Sequence, residues 1–285
     1  MKYGRYIVVL LAIFALGGCQ SPRVERCTAC VDKGEYWQAQ PVVAASHSPR
    51  VRFLVLHYTA EDFDGALTIL GSGNVSAHYL IPSAPPYHEG KPVLWQLLPE
   101  TLAAWHAGRS YWRGVSQLNS SSIGIEQENP GWRQTAGGTG YWQPYSSAQI
   151  ALVIALARQI IQRHQIEPQN VVGHSDIAPQ RKIDPGPHFP WQQLAQAGIG
   201  AWPDAERVRF YLRNRHEYTP VDRRSLLEKL ARYGYEVTPD MNEAQQRRVV
   251  AAFQMHFRPQ RYDGNADAQT EAIAEALLEK YAGRS

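Results

Sequence analysis

The run Val51-Arg-Phe-Leu-Val-Leu-His57 is almost continuously apolar yet only seven residues long. A run of that length and character reads as a buried β-strand. A long helix is also legible. Apolar residues recur at helical spacing from Ile150 to His164 with no glycine or proline, and Ser146 with Gln149 carries the side chains of a capping box just before them. Val75–Ile81, Pro92–Leu98, Ser121–Glu128 and Val171–Val172 read as further strands, and Ala60–Leu70 as a short helix, separated by glycine- and proline-containing turns. Strands interleaved with a long helix make this part of the chain an α/β domain.

Beyond Trp191 the pattern is helical. Ser225–Tyr233, Asn242–Phe257 and Asp267–Tyr281 are amphipathic, with Leu226, Leu227 and Leu230, then Val250, Phe253 and Phe257, then Ile273, Leu277 and Tyr281 on their inner faces. Asn242 with Gln245 offers a second capping pair, and Asp263-Gly264 marks a turn before the last helix. The boundary between the two parts falls in residues 198–220, where Trp202-Pro203 and Thr219-Pro220 punctuate the chain. The expected organisation is therefore an α/β domain over residues 51–200 and a small three-helix domain over residues 201–285.

A chain of 285 residues with 44% hydrophobic and 19% charged content can bury the cores of one large and one small domain. The formal charge of +3 is mild, and basic residues are scattered rather than gathered beside aromatics. Nucleic acid is thereby excluded as the expected partner, whereas an anionic polymer is tolerated. Residues 1–18 read as an export signal, with Lys2 and Arg5 before the apolar stretch Ile7–Leu16 and small residues ahead of Cys19. Leu16-Gly-Gly-Cys19 resembles a bacterial lipobox, which implies cleavage before Cys19 and acylation of that residue. Residues 19–50 then become a lipid-anchored tether. Gln20, rather than the aspartate that usually retains such proteins in the inner membrane, points to the outer membrane facing the periplasm. Cys27 and Cys30, a lone C-x-x-C without a second pair to complete a zinc site, read as a peripheral disulfide.

Three residues carry the candidate chemistry. His57 ends the apolar strand, while His174 and Asp184 stand ten residues apart in G-H-S-D-I-A-P-Q-R-K-I-D-P-G. Two neutral imidazoles and one carboxylate suit Zn²⁺, and a catalytic zinc keeps three protein ligands so that water can take the fourth place. Asp184 precedes Pro185-Gly186 and could instead form a turn; its nearness to Lys182 and His174 favours metal ligation. Lys182 adds an ammonium able to steady an oxyanion, a combination that indicates a hydrolase. Such chemistry needs a base, and alternation in S-I-G-I-E-Q-E-N places Gly124, Glu126 and Glu128 on one strand face, which leaves Glu126 and Glu128 as equal candidates. His78 reads as structural, whereas Trp105 and His106 are candidates for lining a substrate groove, a partly buried, hydrogen-bonded role being equally open to His106.

L-V-L-H-Y-T-A, S-A-H-Y-L-I-P, A-W-H-A-G, S-S-I-G-I-E-Q-E-N and G-H-S-D-I-A-P-Q-R-K-I-D-P-G occur here in the order found in the zinc-dependent N-acetylmuramoyl-L-alanine amidases. The chain from Val51 onward thus resembles that group of the type 2 amidase and peptidoglycan-recognition-protein superfamily. The resemblance implies a mixed central β-sheet flanked by helices, one Zn²⁺ per chain on His57, His174 and Asp184, Glu126 as base and Lys182 as oxyanion partner. It also implies peptidoglycan or muropeptides as substrate, cut between N-acetylmuramic acid and L-alanine during cell-wall turnover. The last helices, with D-G-N-A-D-A-Q-T, resemble a three-helix peptidoglycan-binding module in which Asp267 stands where glycine is common. A monomer is expected. The rival from another class is a murein-binding lipoprotein without catalysis, and a zinc peptidase is disfavoured because the chain has no H-E-x-x-H.

Overall fold

The structure, a computed structural model, describes residues 29–39, 44–46, 49–135 and 137–282. The proposed signal peptide and Cys19 lie outside these residues. Two units are distinguished, residues 1–48 and 49–285. In the first, Cys30–Asp32 pairs antiparallel with Trp37–Ala39, and Cys30 is disulfide-bonded.

The second unit is built on a five-stranded sheet. Its strands are β1 (Phe53–Tyr58), β2 (Tyr79–Ile81), β3 (Trp95–Gln96), β4 (Ser122–Gln127) and β5 (Val171–Gly173), in the spatial order β5-β1-β4-β2-β3. The first four positions in that order are parallel and only β3 runs antiparallel, so the sheet is mixed as expected. Among the described residues eight α-helices accompany it: α1 (Phe63–Gly71), α2 (Ser147–His164), α3 (His174–Ile177), α4 (Trp191–Gln196), α5 (Ala205–Leu212), α6 (Arg223–Tyr233), α7 (Glu243–Phe257) and α8 (Ala268–Tyr281).

Both sheet faces are covered, which explains why β1 is apolar from Phe53 to Leu56. Leu54 and Leu56 of β1, with Ile123 and Ile125 of β4, pack against Ile150, Val153, Ala157 and Ile160 of α2. Phe53 and Val55 point the other way, into a core shared with Leu226, Leu230, Phe253 and Leu277 of the C-terminal helices. The three expected C-terminal helices are present, and their core is continuous with that of the sheet across residue 201. A sheet face buried by these helices does not behave as a surface to which a separate module has been appended.

Two local readings are refined. Ser146 caps α2 by accepting from the Gln149 amide, but the Gln149 side chain does not return to the cap. It donates instead to the carbonyls of Ile81 and Glu128, tying the helix to the ends of β2 and β4. Residues 198–220, the expected boundary between the two parts, contain α5. That helix fully buries no side chain and holds α8 through Arg207 and Tyr211, which both donate to Glu279, so it lacks the apolar period that would reveal it. The capping box of Asn242 and Gln245 is formed in full.

Candidate active site

Parallel strands deliver their C-terminal ends to one edge of a sheet, and ligands bind in the loops there. His57 sits near that end of β1 with Glu126 directly beside it on β4, and β5 on the other flank ends at Gly173, one residue before His174. His57 therefore points to the same face as Phe53 and Val55, while Asp184 arrives from the loop after α3. Nδ1 of His57 lies 3.0 Å from Nδ1 of His174, and each is 3.1 Å from Oδ2 of Asp184. All three side chains are buried.

Hydrogen-bond directions show what this triangle is suited to hold. The carbonyl of Leu118 can only accept, so Ser122 Oγ donates to it at 2.6 Å. Ser122 Oγ in turn accepts from Nε2 of His106 at 3.0 Å. His106 is kept neutral, since burial and then the neighbouring His57, His78 and His174 rings hold its pKa well below the ordinary value. Its Nδ1 must therefore accept, at 2.9 Å, from Nε2 of His57. On the other ring, Nε2 of His174 donates to the Ala107 carbonyl at 3.2 Å. With its proton on Nε2, the neutral His57 ring turns its Nδ1 lone pair toward the Asp184 carboxylate, and Nδ1 of His174 faces the same point. Two imidazole nitrogens and one carboxylate oxygen converging in this way suit a borderline divalent metal. His57 remains neutral to about pH 4 because of its burial and the His174 ring. Burial opposes ionisation of Asp184, but His174 and then His57 outweigh it and hold the carboxyl below the usual range.

A cleft of about 370 Å³ opens over this triangle, walled in part by Tyr58, Trp105, Glu126 and Lys182. Oε2 of Glu126 is buried there with no hydrogen-bond partner among the described residues. Burial, with a further push from Asp184 that outweighs the pull of Lys182, raises its pKa to about 8. Glu128 differs because β4 ends at Gln127, and the Glu128 carboxylate accepts from the Ser83 amide at 2.7 Å. Only Glu126 is thus left free at the cleft. Lys182 forms no ion pair among the described residues and lies near enough to bias Glu126 and His57 electrostatically.

Trp105 and His106 part company. Trp105 is 59% exposed at the cleft wall, whereas His106 is buried with both ring nitrogens engaged by His57 and Ser122. The structure thus makes His106 a support for His57 and leaves it no nitrogen to offer a substrate. The support is close, because a Cβ on Gly124 would lie 2.5 Å from Cγ of His106, so only glycine leaves room for the ring. His78 is structural as expected, accepting from the Gly124 amide and donating to Leu102 O. Two contributors escaped the sequence reading, Ser122 and Asp176. Asp176 is fully buried two residues after His174; its place inside the G-H-S-D motif was the available signal.

Comparison with known proteins supplies independent information. Residues 47–187 match the family Amidase_2, described as N-acetylmuramoyl-L-alanine amidase. The N-acetylmuramoyl-L-alanine amidase AmiD of Escherichia coli (strain K12) is 56% identical over 277 residues, spanning 97% of this chain and 98% of that one. The solved complex of E. coli AmiD with anhydro-N-acetylmuramic acid-L-Ala-D-gamma-Glu-L-Lys superposes with a TM-score of 0.86 at 59% identity, covering 89% of this chain and 98% of the other. AmpDH3 from Pseudomonas aeruginosa superposes with a TM-score of 0.76 at 41% identity, covering 88% and 98%. Likeness extending through the helical C-terminal region, joined to a buried His-His-Asp triangle beside an unpaired carboxyl, places this chain in the N-acetylmuramoyl-L-alanine amidase family, whose members cleave the amide between N-acetylmuramic acid and L-alanine of peptidoglycan.

Proposed function

We propose that the amidase is zinc-dependent, with one Zn²⁺ held by Nδ1 of His57, Nδ1 of His174 and Oδ2 of Asp184. The observation that carries this reading is the convergence of those three atoms, each 3.0–3.1 Å from the others, with the His57 tautomer dictated by the relay through His106 and Ser122. When bound, zinc supplies Lewis acidity that makes a water nucleophilic at neutral pH and polarises the substrate carbonyl.

The chain's own residues divide the remaining work. Glu126 accepts the proton of the attacking water and passes it to the departing L-alanine nitrogen. Burial, which raises this carboxyl in the metal-free site, makes Glu126 a stronger base than an ordinary carboxylate, the direction that suits both proton transfers. Lys182 places its ammonium beside the carbonyl oxygen as that oxygen gains charge. Trp105 offers an apolar wall to the sugar or lactyl group from the cleft rim.

The ligand in the E. coli AmiD complex supports anhydro-muramyl peptides as one substrate class for this chain. The lipobox at Leu16–Cys19 supports a lipid anchor, and Gln20 supports an outer-membrane position facing the periplasm. The disulfide at Cys30 suits that oxidising compartment.

Digestion of purified muropeptides tests the reading. Mass analysis is expected to find free stem peptide beginning with L-alanine, lost on chelation and restored by Zn²⁺. Products retaining L-alanine on the sugar, or full activity in metal-stripped protein, would refute it.

A further inference from the structure

His174 begins α3, a single turn of four residues. Asp176 stands inside that turn, and its carboxylate is buried at the junction of the sheet with the C-terminal helices. Oδ2 accepts from the Gly173 amide at 2.7 Å, which ties the carboxylate to the residue immediately before the metal ligand. The other donors come from the helical region: Tyr235 OH to Oδ1 at 2.5 Å and His256 Nδ1 to Oδ2 at 2.7 Å. The same turn holds the second ligand, since the Ser175 amide donates to the Asp184 carbonyl at 2.8 Å.

The placement of His256 is costly without a purpose at Asp176. The ring is buried, with Nε2 lacking a partner among the described residues, so its one hydrogen bond is to that carboxylate. It stacks on Trp191 at 3.8 Å with the planes 15° apart. Trp191 in turn packs against Gly173, where a Cβ would meet Cζ2 at 3.2 Å. A second route of contact from the helices thus reaches the same turn. His57, by contrast, takes its support from His106 and Ser122, which lie before residue 201.

We infer that Tyr235 and His256 are positioning residues of the metal centre, acting through Asp176 to hold His174 and Asp184 in ligating position. The C-terminal helices are then part of the active site, whatever affinity they also have for peptidoglycan. This inference rests on the metal site proposed above. Partners that orient a ligand without touching the metal typically contribute about 10- to 100-fold in metal affinity.

The test uses full-length protein and measures Zn²⁺ affinity by chelator competition, the visible spectrum of the Co²⁺-loaded form, and kcat and KM separately. Tyr235→Phe removes one hydroxyl, and His256→Phe keeps an aromatic ring in the stack but removes the donor. Both are expected to weaken Zn²⁺ binding by roughly 10- to 100-fold, alter the Co²⁺ spectrum, and lower kcat with KM little changed. His256→Asn, whose amide nitrogen can stand near the Nδ1 position, should recover part of the affinity. Leu277→Ala opens a cavity in the same helical core at a residue that takes no part in the hydrogen bonds to Asp176; it should lower Tm yet leave metal affinity unchanged. Wild-type affinity and spectrum in folded Tyr235→Phe and His256→Phe would overturn the inference while leaving the zinc reading intact. A wild-type protein that binds no Zn²⁺ would overturn both.

Discussion

The two halves of the metal triangle are built differently. His57 lies on a central strand paired on both sides, and its ring is oriented by a relay of His106 and Ser122 that ends on a backbone carbonyl. His174 and Asp184 lie on a short turn and the following loop, where Asp176 receives two donors from the C-terminal helices. Hydrogen-bonded strand pairing and burial on both faces give the first half a rigid base within the α/β region. The second half borrows its rigidity from distant sequence. One site thus combines local and remote support, and substitutions that separate the two should have different signatures.

The largest expected effect comes from removing the carboxylate that both imidazoles face. Asp184→Ala should abolish measurable activity and leave purified protein deficient in zinc by metal analysis, since the two imidazoles cannot close the site alone. Next is the group that belongs to neither half. Glu126→Gln should lower kcat by roughly 10²- to 10⁴-fold while zinc content stays at one per chain, and an active Gln variant would remove Glu126 from its role as base. Lys182→Met is expected to lose about 10²-fold in kcat, again with metal retained.

A smaller effect should isolate the His57 half. Gly124→Ala forces His106 from its place, and Zn²⁺ affinity should fall by roughly 10-fold although neither residue touches the metal. Chelator competition on the folded variant measures this, and unchanged affinity would remove His106 from the support of His57.

The smallest effect concerns metal-free protein. The folded state holds the Glu126 proton to about pH 8, against an ordinary value of 4.5, so the glutamate favours folding least when ionised. The burden is absent below about pH 4.5, grows as pH rises, and is complete above about 8. Glu126→Gln should therefore stabilise the metal-free fold at pH 8.5 by on the order of 1 kcal/mol, after screening at the open cleft, and not at pH 4.5. Thermal unfolding at the two pH values checks it.

Much of this molecule is legible from local pattern. The strand ending at His57, the helix from Ser147 to His164 and the three C-terminal helices follow from apolar period, caps and turn residues. The helix over Ala205–Leu212 escapes the same reading because it fully buries no side chain and is held by Arg207, Tyr211 and Glu279. Gln149 illustrates the limit at single-residue scale: its type suits a cap, but two strand-end carbonyls compete for the side chain and win.

Residue order alone indicated the main strands and helices, Ala205–Leu212 excepted, because period and capping act within a few residues of chain. It also displayed the imidazoles, carboxylates and ammonium suited to metal-assisted hydrolysis. Tertiary structure decided which of them meet. Strand register set Glu126 beside His57 while the end of the strand gave Glu128 to the Ser83 amide. Packing of segments apart in sequence made His106, at the cleft wall, the hydrogen-bonded support of His57, and brought Tyr235 and His256 to Asp176. The physical reason is that a side chain's partners depend on distances between remote segments, which no local periodicity encodes.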